Sequence, residues 1–360
     1  MKIISVRSPY IISVNEETQD YGKLELRIWK PNTTKPTEAT YTFTKGKSSD
    51  TNREVTFNIS PFVKDLIENK IEFTAEGDLT AYNYANVEVK TFYKAGVGEW
   101  TALSTEQFIA FNGYNNFEDG ANQSKVTTEF QDLTTYQITP FGSIPLYYDR
   151  NRLSEYYIQL SFPDENINIE FVNSLNQKTD VLIAGDGIWN LPISTDESKF
   201  DNGNYLNIQT QGEFGDWLTI GSLNVIPVCE HILTPAICTY VNRNGAIQQL
   251  TFFKMRTDTI DATSDKYNLM PSNWNYDANI GTYKQFNFNA KKSVRLNTGW
   301  VTQEYSDMMQ DLLLSENIWL DDKPVTIKTQ SLEVKTQVRN KNINYEVEFE
   351  YGFDIINSVI

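Results

Sequence analysis

Residues 235–254 read PAICTYVNRNGAIQQLTFFK, and residues 9–30 read PYIISVNEETQDYGKLELRIWK. Each stretch starts at a Pro, runs through an apolar segment to Val-Asn, crosses a polar loop containing a Gly, re-enters an apolar-rich segment and ends on Lys. Within the N-terminal copy, KLELRIW alternates strictly: Leu24, Leu26 and Ile28 share one face, and Glu25 and Arg27 the other. A period of two marks a half-buried β-strand, because successive side chains leave the pleated backbone on opposite sides. In the C-terminal copy, Asn244-Gly245 is a hairpin signal, since both residues tolerate the positive φ that a two-residue type I′ turn requires. Strand, turn and strand at both ends of the chain set the expectation of a mainly β fold.

The parallel extends outward from these stretches. YTFTKG (Tyr41–Gly46) and VTFNISPFV (Val55–Val63) follow the first; YKQFNFNA (Tyr283–Ala290) and VRLNTGWV (Val294–Val301) follow the second. A helix is predicted after each. The first runs from about Pro61 to Asn69, with Ser60 as N-cap, Pro61 at the first helical position, and a stripe of Val63, Leu66 and Ile67. The second runs from about Gln303 to Ser315, where Tyr305, Met308, Met309, Leu312 and Leu313 recur at helical spacing and are expected to pack on a sheet. After each helix the chain returns to alternating strands, NVEVKTFY and YEVEFEYGF, the latter with Tyr345, Val347, Phe349, Tyr351 and Phe353 opposite Glu346, Glu348 and Glu350. The order suggests two related β-sandwich-like modules, at 1–125 and 228–360, each with one packed α-helix. They flank a β-rich middle region, 126–227, where YYIQLSF, INIEFV and YLNIQT read as strands. A length of 360 residues accommodates two or three such domains.

Composition supports the β reading and narrows function. The chain holds 20 Tyr, 20 Phe and 7 Trp, which favour pleated, half-buried surfaces. No apolar run approaches the roughly 20 residues of a membrane-spanning helix, and the N-terminal segment, broken by Arg7, Ser8 and Pro9, does not read as an export signal. A net charge of −16 disfavours non-specific binding to nucleic acid, which depends on Lys and Arg. The cysteines, Cys229 and Cys238, read as two buried thiols, with a single bridge as the alternative.

Catalytic constellations are sparse. His231 is the single histidine, and its spacing from Cys229 and Cys238 matches none of the usual zinc pairs. Residues 195–204, TDESKFDNGN, lack the ligand order of a calcium loop. No nucleophile elbow, P-loop or dinucleotide fingerprint occurs. Paired carboxylates converging from separate strands stay open, since 47 acidic residues supply many combinations. No catalytic residue, cofactor or metal is therefore assigned. The segment IPLYYDRNRLSEYY places Tyr147, Tyr148, Tyr156 and Tyr157 beside Arg150 and Arg152, residue types favoured at interface hot spots.

From Thr239 onward, YVNRNGAIQQLTFFK, FNFNAKKSVRLNTGWVTQEYSDMMQDLLLSENIWL and VKTQVRNKNINYEVEFEYGFD together resemble a recurrent structural protein of tailed bacteriophages, particularly those of Bacteroidetes-type hosts. Asn242, Gly245, Phe252, Phe253, Asn297, Thr298 and Gly299 belong to the shared pattern. With Gly22, Trp29 and Trp300, several of these are expected to be structural. The resemblance implies a non-enzymatic virion protein of the tail, baseplate hub or collar, assembled in the host cytoplasm. Its expected partners are copies of itself, in a ring, and neighbouring tail or collar proteins. Three copies of a doubled module would present six near-equivalent units and could match a threefold part to a sixfold tube. A receptor- or carbohydrate-binding tail component is the alternative, and a virion glycan-degrading enzyme a more distant one.

Overall fold

The structure is a computed structural model. It describes residues 2–31, 33–67, 83–126, 129–134, 136, 144–162, 166–173, 175–184, 187–193, 204–212, 215–228, 234–269, 279, 281–329, 331 and 343–356. Among the described residues the fold is mainly β, with several sheets and two α-helices. Contacts group it into two compact units. The first comprises Met1–Cys229, Thr239–Leu250 and Glu304–Glu316; the second comprises Glu230–Cys238, Thr251–Gln303 and Asn317–Ile360.

The first unit opens with β1 (Lys2–Ser5), β2 (Ile11–Val14), β3 (Tyr21–Trp29), β4 (Tyr41–Gly46), β5 (Val55–Asn58), α1 (Ser60–Lys64), β6 (Tyr84–Lys94), β7 (Thr101–Phe111) and β8 (Ser124–Val126). A six-stranded sheet, β4-β3-β6-β7-β1-β8, faces the hairpin-like pair β2-β5. The alternation read in KLELRIW is realised: Leu24, Leu26 and Ile28 are buried and meet Val14, Val55, Phe57 and Val63 of the opposing layer. Gly22 lies where the layers come closest, since a Cβ there would stand 3.2 Å from Val55 Cβ. Helix α1 is shorter than predicted, and residues 68 and 69 lie outside the described residues. Ile59, not Ser60, is its N-cap. The Ser60 hydroxyl instead donates to Ser8 O at 2.7 Å and accepts from Tyr10 N at 2.8 Å, so a nearby strand start won the polar side chain.

The middle region supplies β9 (Gln131–Asp132), β10 (Leu146–Tyr148), β11 (Tyr157–Phe162), β12 (Asn166–Val172), β13 (Lys178–Ala184), β14 (Gly187–Pro192), β15 (Asn204–Gln211) and β16 (Trp217–Pro227). They form a five-stranded sheet, β10-β16-β15-β12-β13, and a three-stranded sheet, β14-β11-β9. Ile167, Ile169, Phe171, Leu206, Ile208, Leu223 and Val225 are buried on the larger one.

The remainder runs β17 (Ala236–Val241), β18 (Ile247–Phe252), β19 (Arg256–Asn268), β20 (Tyr283–Asn297), α2 (Tyr305–Leu313), β21 (Ile318–Leu320), β22 (Lys323–Ile327) and β23 (Glu346–Asp354). In the second unit the sheet order is β21-β22-β23-β20-β19, with Ala236–Cys238 alongside β21 through an Asp321 N–H bond to Ile237 O of 2.9 Å. Strands precede and follow a helix at both ends of the chain, but their pairing differs. Tyr41–Gly46 and Val55–Asn58 are separate strands in separate sheets, whereas Tyr283–Asn297 is one continuous strand.

The loop at Asn244-Gly245 departs from a type I′ turn. Gly245 has φ +82°, but Asn244 is not among the positive-φ residues, and the Gly245 N–H reaches Asn242 O at 2.9 Å. This is a three-residue loop closed by a left-handed glycine. Asn242 selects it: its Oδ1 accepts from the N–H groups of both Asn244 and Ala246 at 3.0 Å.

Candidate assembly surface

The second unit carries a one-sided sheet that continues as a two-stranded arm. Near its C-terminal end, β20 alternates: Val294 and Leu296 are buried, paired with Phe349 and Val347 of β23. Phe252 meets Phe349 edge-on at 5.7 Å, which favours the ring quadrupoles as well as burial. The opposite face is a ladder of charge. Lys291 pairs with Glu350 at 3.2 Å, Arg295 with Glu346 and Glu348 at 3.3 Å, and Lys328 with Asp261 at 3.2 Å and Glu348 at 3.4 Å.

Away from β23 the pattern changes. β19 pairs with β20 from Arg256↔Leu296 to Asn268↔Tyr283, yet every residue of β19 is exposed except Ser264, which is half-buried. On the paired segment of β20, Tyr283 to Phe288 are exposed too. Ile260 (61%), Tyr283 (68%), Phe286 (49%) and Phe288 (53%) stand in solvent, and Tyr267 packs edge-on to Phe286 at 5.5 Å. Asn287, at φ +52°, sits in a β-bulge on β20 opposite Ser264, so β19 itself stays regular. A hairpin with exposed aliphatic and aromatic side chains has not buried them within its own chain, and such clusters mark contact surfaces.

The residues expected to be structural take the following places. Gly299 has φ +77°, and a Cβ there would lie 2.4 Å from the Phe253 ring. Asn297 Oδ1 accepts the Gly299 N–H at 2.8 Å, Thr298 N donates to Tyr345 O at 3.0 Å, and Trp300 beside them is exposed. Gly245 is packed so closely that a Cβ would reach within 2.6 Å of Phe111 Cβ, and Gly113 is as tight against Arg243 O. Trp29 is half-buried, with Lys35 Nζ 6.0 Å above its ring.

The tyrosines expected at an interface go elsewhere. Tyr148, Tyr156 and Tyr157 are buried, with Tyr148 and Tyr156 edge-on at 6.3 Å and the Tyr156 hydroxyl accepting from Asp149 N at 3.0 Å. Tyr147 is half-buried against Tyr305 at 5.9 Å, and Arg150 opens the short turn Arg150–Glu155. Tyr148, Tyr156 and Tyr157 pack the core of the first unit instead of standing at its surface, and Tyr157 begins β11, a strand buried at every position.

A buried amide network in the first unit was not read from the sequence. Asn83 Nδ2 donates to Gln159 Oε1 at 2.8 Å and to Gly245 O at 3.1 Å; Ile247 N donates to the same Gln159 oxygen at 3.3 Å. Gln249 Oε1 accepts from Tyr157 N at 3.0 Å, and Asn242 Nδ2 donates to Leu133 O at 3.0 Å. Gln248-Gln249 inside an apolar strand was the available signal.

Two titratable groups of the first unit meet in a partly enclosed site. Burial pushes the Asp311 carboxyl up to about 6, and the Tyr114 hydroxyl, up at about 12, donates to its Oδ1 at 3.4 Å. Arg7 stacks over the Tyr114 ring at 5.1 Å, pairs with Glu316 at 3.2 Å, and donates to Leu314 O at 3.1 Å. Nearby, a cavity of about 140 Å³ is lined by Ile3, Ser5, Asn115, Lys125, Leu133 and Asn244, among others. In the second unit Cys238 is a free, buried thiol whose pKa is raised by burial and then by Asp321, which keeps it protonated and unreactive. Cys229 and His231 lie outside the described residues. Among the described residues no three or more His, Cys, Asp or Glu gather as a metal site would require, and no helix is long and apolar enough to cross a membrane.

Comparison with protein-family models finds no match, and comparison with curated proteins finds none either. Among solved structures, one described as "Ca2+-stabilized adhesin helps an Antarctic bacterium reach out and bind ice" aligns over 82% of this chain and 67% of that chain, at 7% identity and a TM-score of 0.17. A second, described as "Structural insight into host cell surface retention of a 1.5-MDa bacterial ice-binding adhesin", aligns over 82% of this chain and 88% of that one, at 10% identity and a TM-score of 0.16. Superpositions that loose carry no argument about fold or function.

Proposed function

We propose that the protein is a non-enzymatic assembly component of a tailed-bacteriophage virion, placed in the tail, baseplate hub or collar. It acts by binding copies of itself, closing into a ring of three in the simplest arrangement, and by docking neighbouring tail proteins. The observation that carries this reading is the β19/β20 arm, where Ile260, Tyr267, Tyr283, Phe286 and Phe288 are exposed on a hairpin. The resemblance of the chain from Thr239 onward to phage structural proteins supplies the setting. Burying such side chains against a neighbour stabilises association by roughly 25 cal/mol per Å² of apolar surface before the entropy of association is subtracted.

The test is the mass of the purified protein by light scattering, together with its presence in particles by cryo-electron microscopy. Defined oligomers and density in the tail region support the reading. A stable monomer at all concentrations, absent from particles, overturns it. The receptor-binding alternative would instead show a monomer or oligomer that retains host glycans on an array.

A further inference from the structure

β19 ends its sheet, and among the described residues no strand pairs with its outer edge. It is 13 residues long, about 43 Å at ~3.3 Å per residue, against 6 for the edge strand β4. Because the bulge sits on β20, the outer edge of β19 presents an uninterrupted row of backbone donors and acceptors. Long, regular, exposed edges are templates for strand addition unless something guards them. Resting on the self-association reading above, we infer that the occupant of this edge is β19 of a second copy, paired antiparallel across a two-fold axis that passes through Ala262, a contact that joins two copies, or two rings, and is separate from the head-to-tail contacts that would close a ring.

Backbone geometry and charge select that register. In an antiparallel pair, residues opposite each other both turn their backbone groups toward the partner or both away, and these states alternate along a strand. Identical strands can therefore pair only with the axis on a residue, not between two. An axis on Asp261 sets that carboxylate against its own copy and Arg256 against Lys266. An axis on Thr263 sets Asp261 against Asp265 twice. An axis on Ala262 sets Asp258 against Lys266 twice and brings no like charges into opposition. In that register Ala262 faces Ala262 at the centre, exposed Ile260 faces Ser264, and Thr257 faces Tyr267, a favourable β-branched and aromatic pair. On the opposite face Asp261 is already held by Lys328 within its own chain at 3.2 Å. Axes on Ile260 or Ser264 also avoid like charges but overlap only nine residues of each strand and face no opposite charges, so the Ala262 register combines the longest overlap with charge attraction, and the contact is isologous.

Two experiments on the full chain test the register. Asp258→Lys or Lys266→Asp places like charges opposite each other twice, and each single variant is expected to weaken self-association about tenfold by sedimentation. The double variant restores the opposite pairing and is expected to return to within about threefold of the wild type. Separately, Ala262→Cys is expected to give a disulfide-linked dimer under mild oxidation, while Thr259→Cys, about 20 Å from its own copy in this register, and the wild-type chain do not. A chain that is oligomeric but shows neither charge-swap rescue nor the Ala262→Cys cross-link overturns the edge pairing and leaves the self-association reading standing. A chain that is monomeric throughout overturns both.

Discussion

At the scale of single residues, two positions make opposite demands on their surroundings. Gly299 needs the absence of a side chain: at φ +77° and with the Phe253 ring where a Cβ would go, Gly299→Ala is expected to cost about 2–3 kcal/mol or more, read as a lowered urea midpoint with an unchanged slope. Asp311 carries a side chain that its site disfavours when charged. Burial raises its carboxyl from 3.8 to about 6, so between those values the folded chain holds a proton that the unfolded chain has released. The sign follows: this contribution to stability is complete below about pH 4 and is lost as pH rises through about 6. Asp311→Asn removes that titration. Its stability relative to the wild type is expected to grow with pH, by up to about 3 kcal/mol at neutrality, in urea unfolding series run from pH 3.5 to 7. Asp311 was not legible in QDLLLSE, because an acid beside Gln310 reads as the solvent side of a helix until Tyr114, from the segment after β7, is found above it. Gly245, by contrast, was legible as a turn glycine, and only the turn type was missed. That depended on the Asn242 side chain, which sequence patterns for two-residue turns leave out.

Elements were the most legible level. The period of two in KLELRIW and YEVEFEYGF places Leu24, Leu26, Val347 and Phe349 inside, and they are, whereas Tyr351 and Phe353, read on the same face, are half-buried and exposed. The spacing of Tyr305, Met308, Met309 and Leu312 predicts a buried helical stripe, and α2 buries all four. Partners were not legible, since backbone hydrogen bonds pair strands without regard to side-chain identity. Exposure of aromatics was misplaced for a related reason: Tyr148 and Tyr156 differ from Tyr267 and Tyr283 only in what packs over them. Phe349 concentrates the packing of the second unit's sheet, fully buried and edge-on to Phe252. Phe349→Ala is expected to cost about 3–5 kcal/mol, measured by thermal or urea unfolding. Lys328→Ala, on the charged face of the same sheet, should change stability far less, because exposed ion pairs exchange one hydrated state for another.

At the scale of the whole molecule, charge opposes the association proposed for it. Each copy carries −16, so two approaching copies repel over distances set by ionic strength. Raising salt from ~0.01 to ~0.15 M shortens the screening length from about 30 to about 8 Å, and the rate of subunit exchange into oligomers is expected to rise accordingly. Mixing labelled and unlabelled protein in a salt series checks this; a rate that falls with salt would mean that local attractive pairs dominate the encounter. The composition of the first unit has a different consequence. Its core includes α2, whose Met308 carbonyl accepts the Tyr240 hydroxyl at 3.3 Å, and Glu316, which binds Arg7 across nearly the full length of the chain. A ribosome adding ~5–20 residues per second finishes Cys229 about 4–15 s before it reaches Glu304. During that interval the nascent N-terminal sheets present an open seat for a helix that does not yet exist, which makes this stage of synthesis the one at which a chaperone has most to hold.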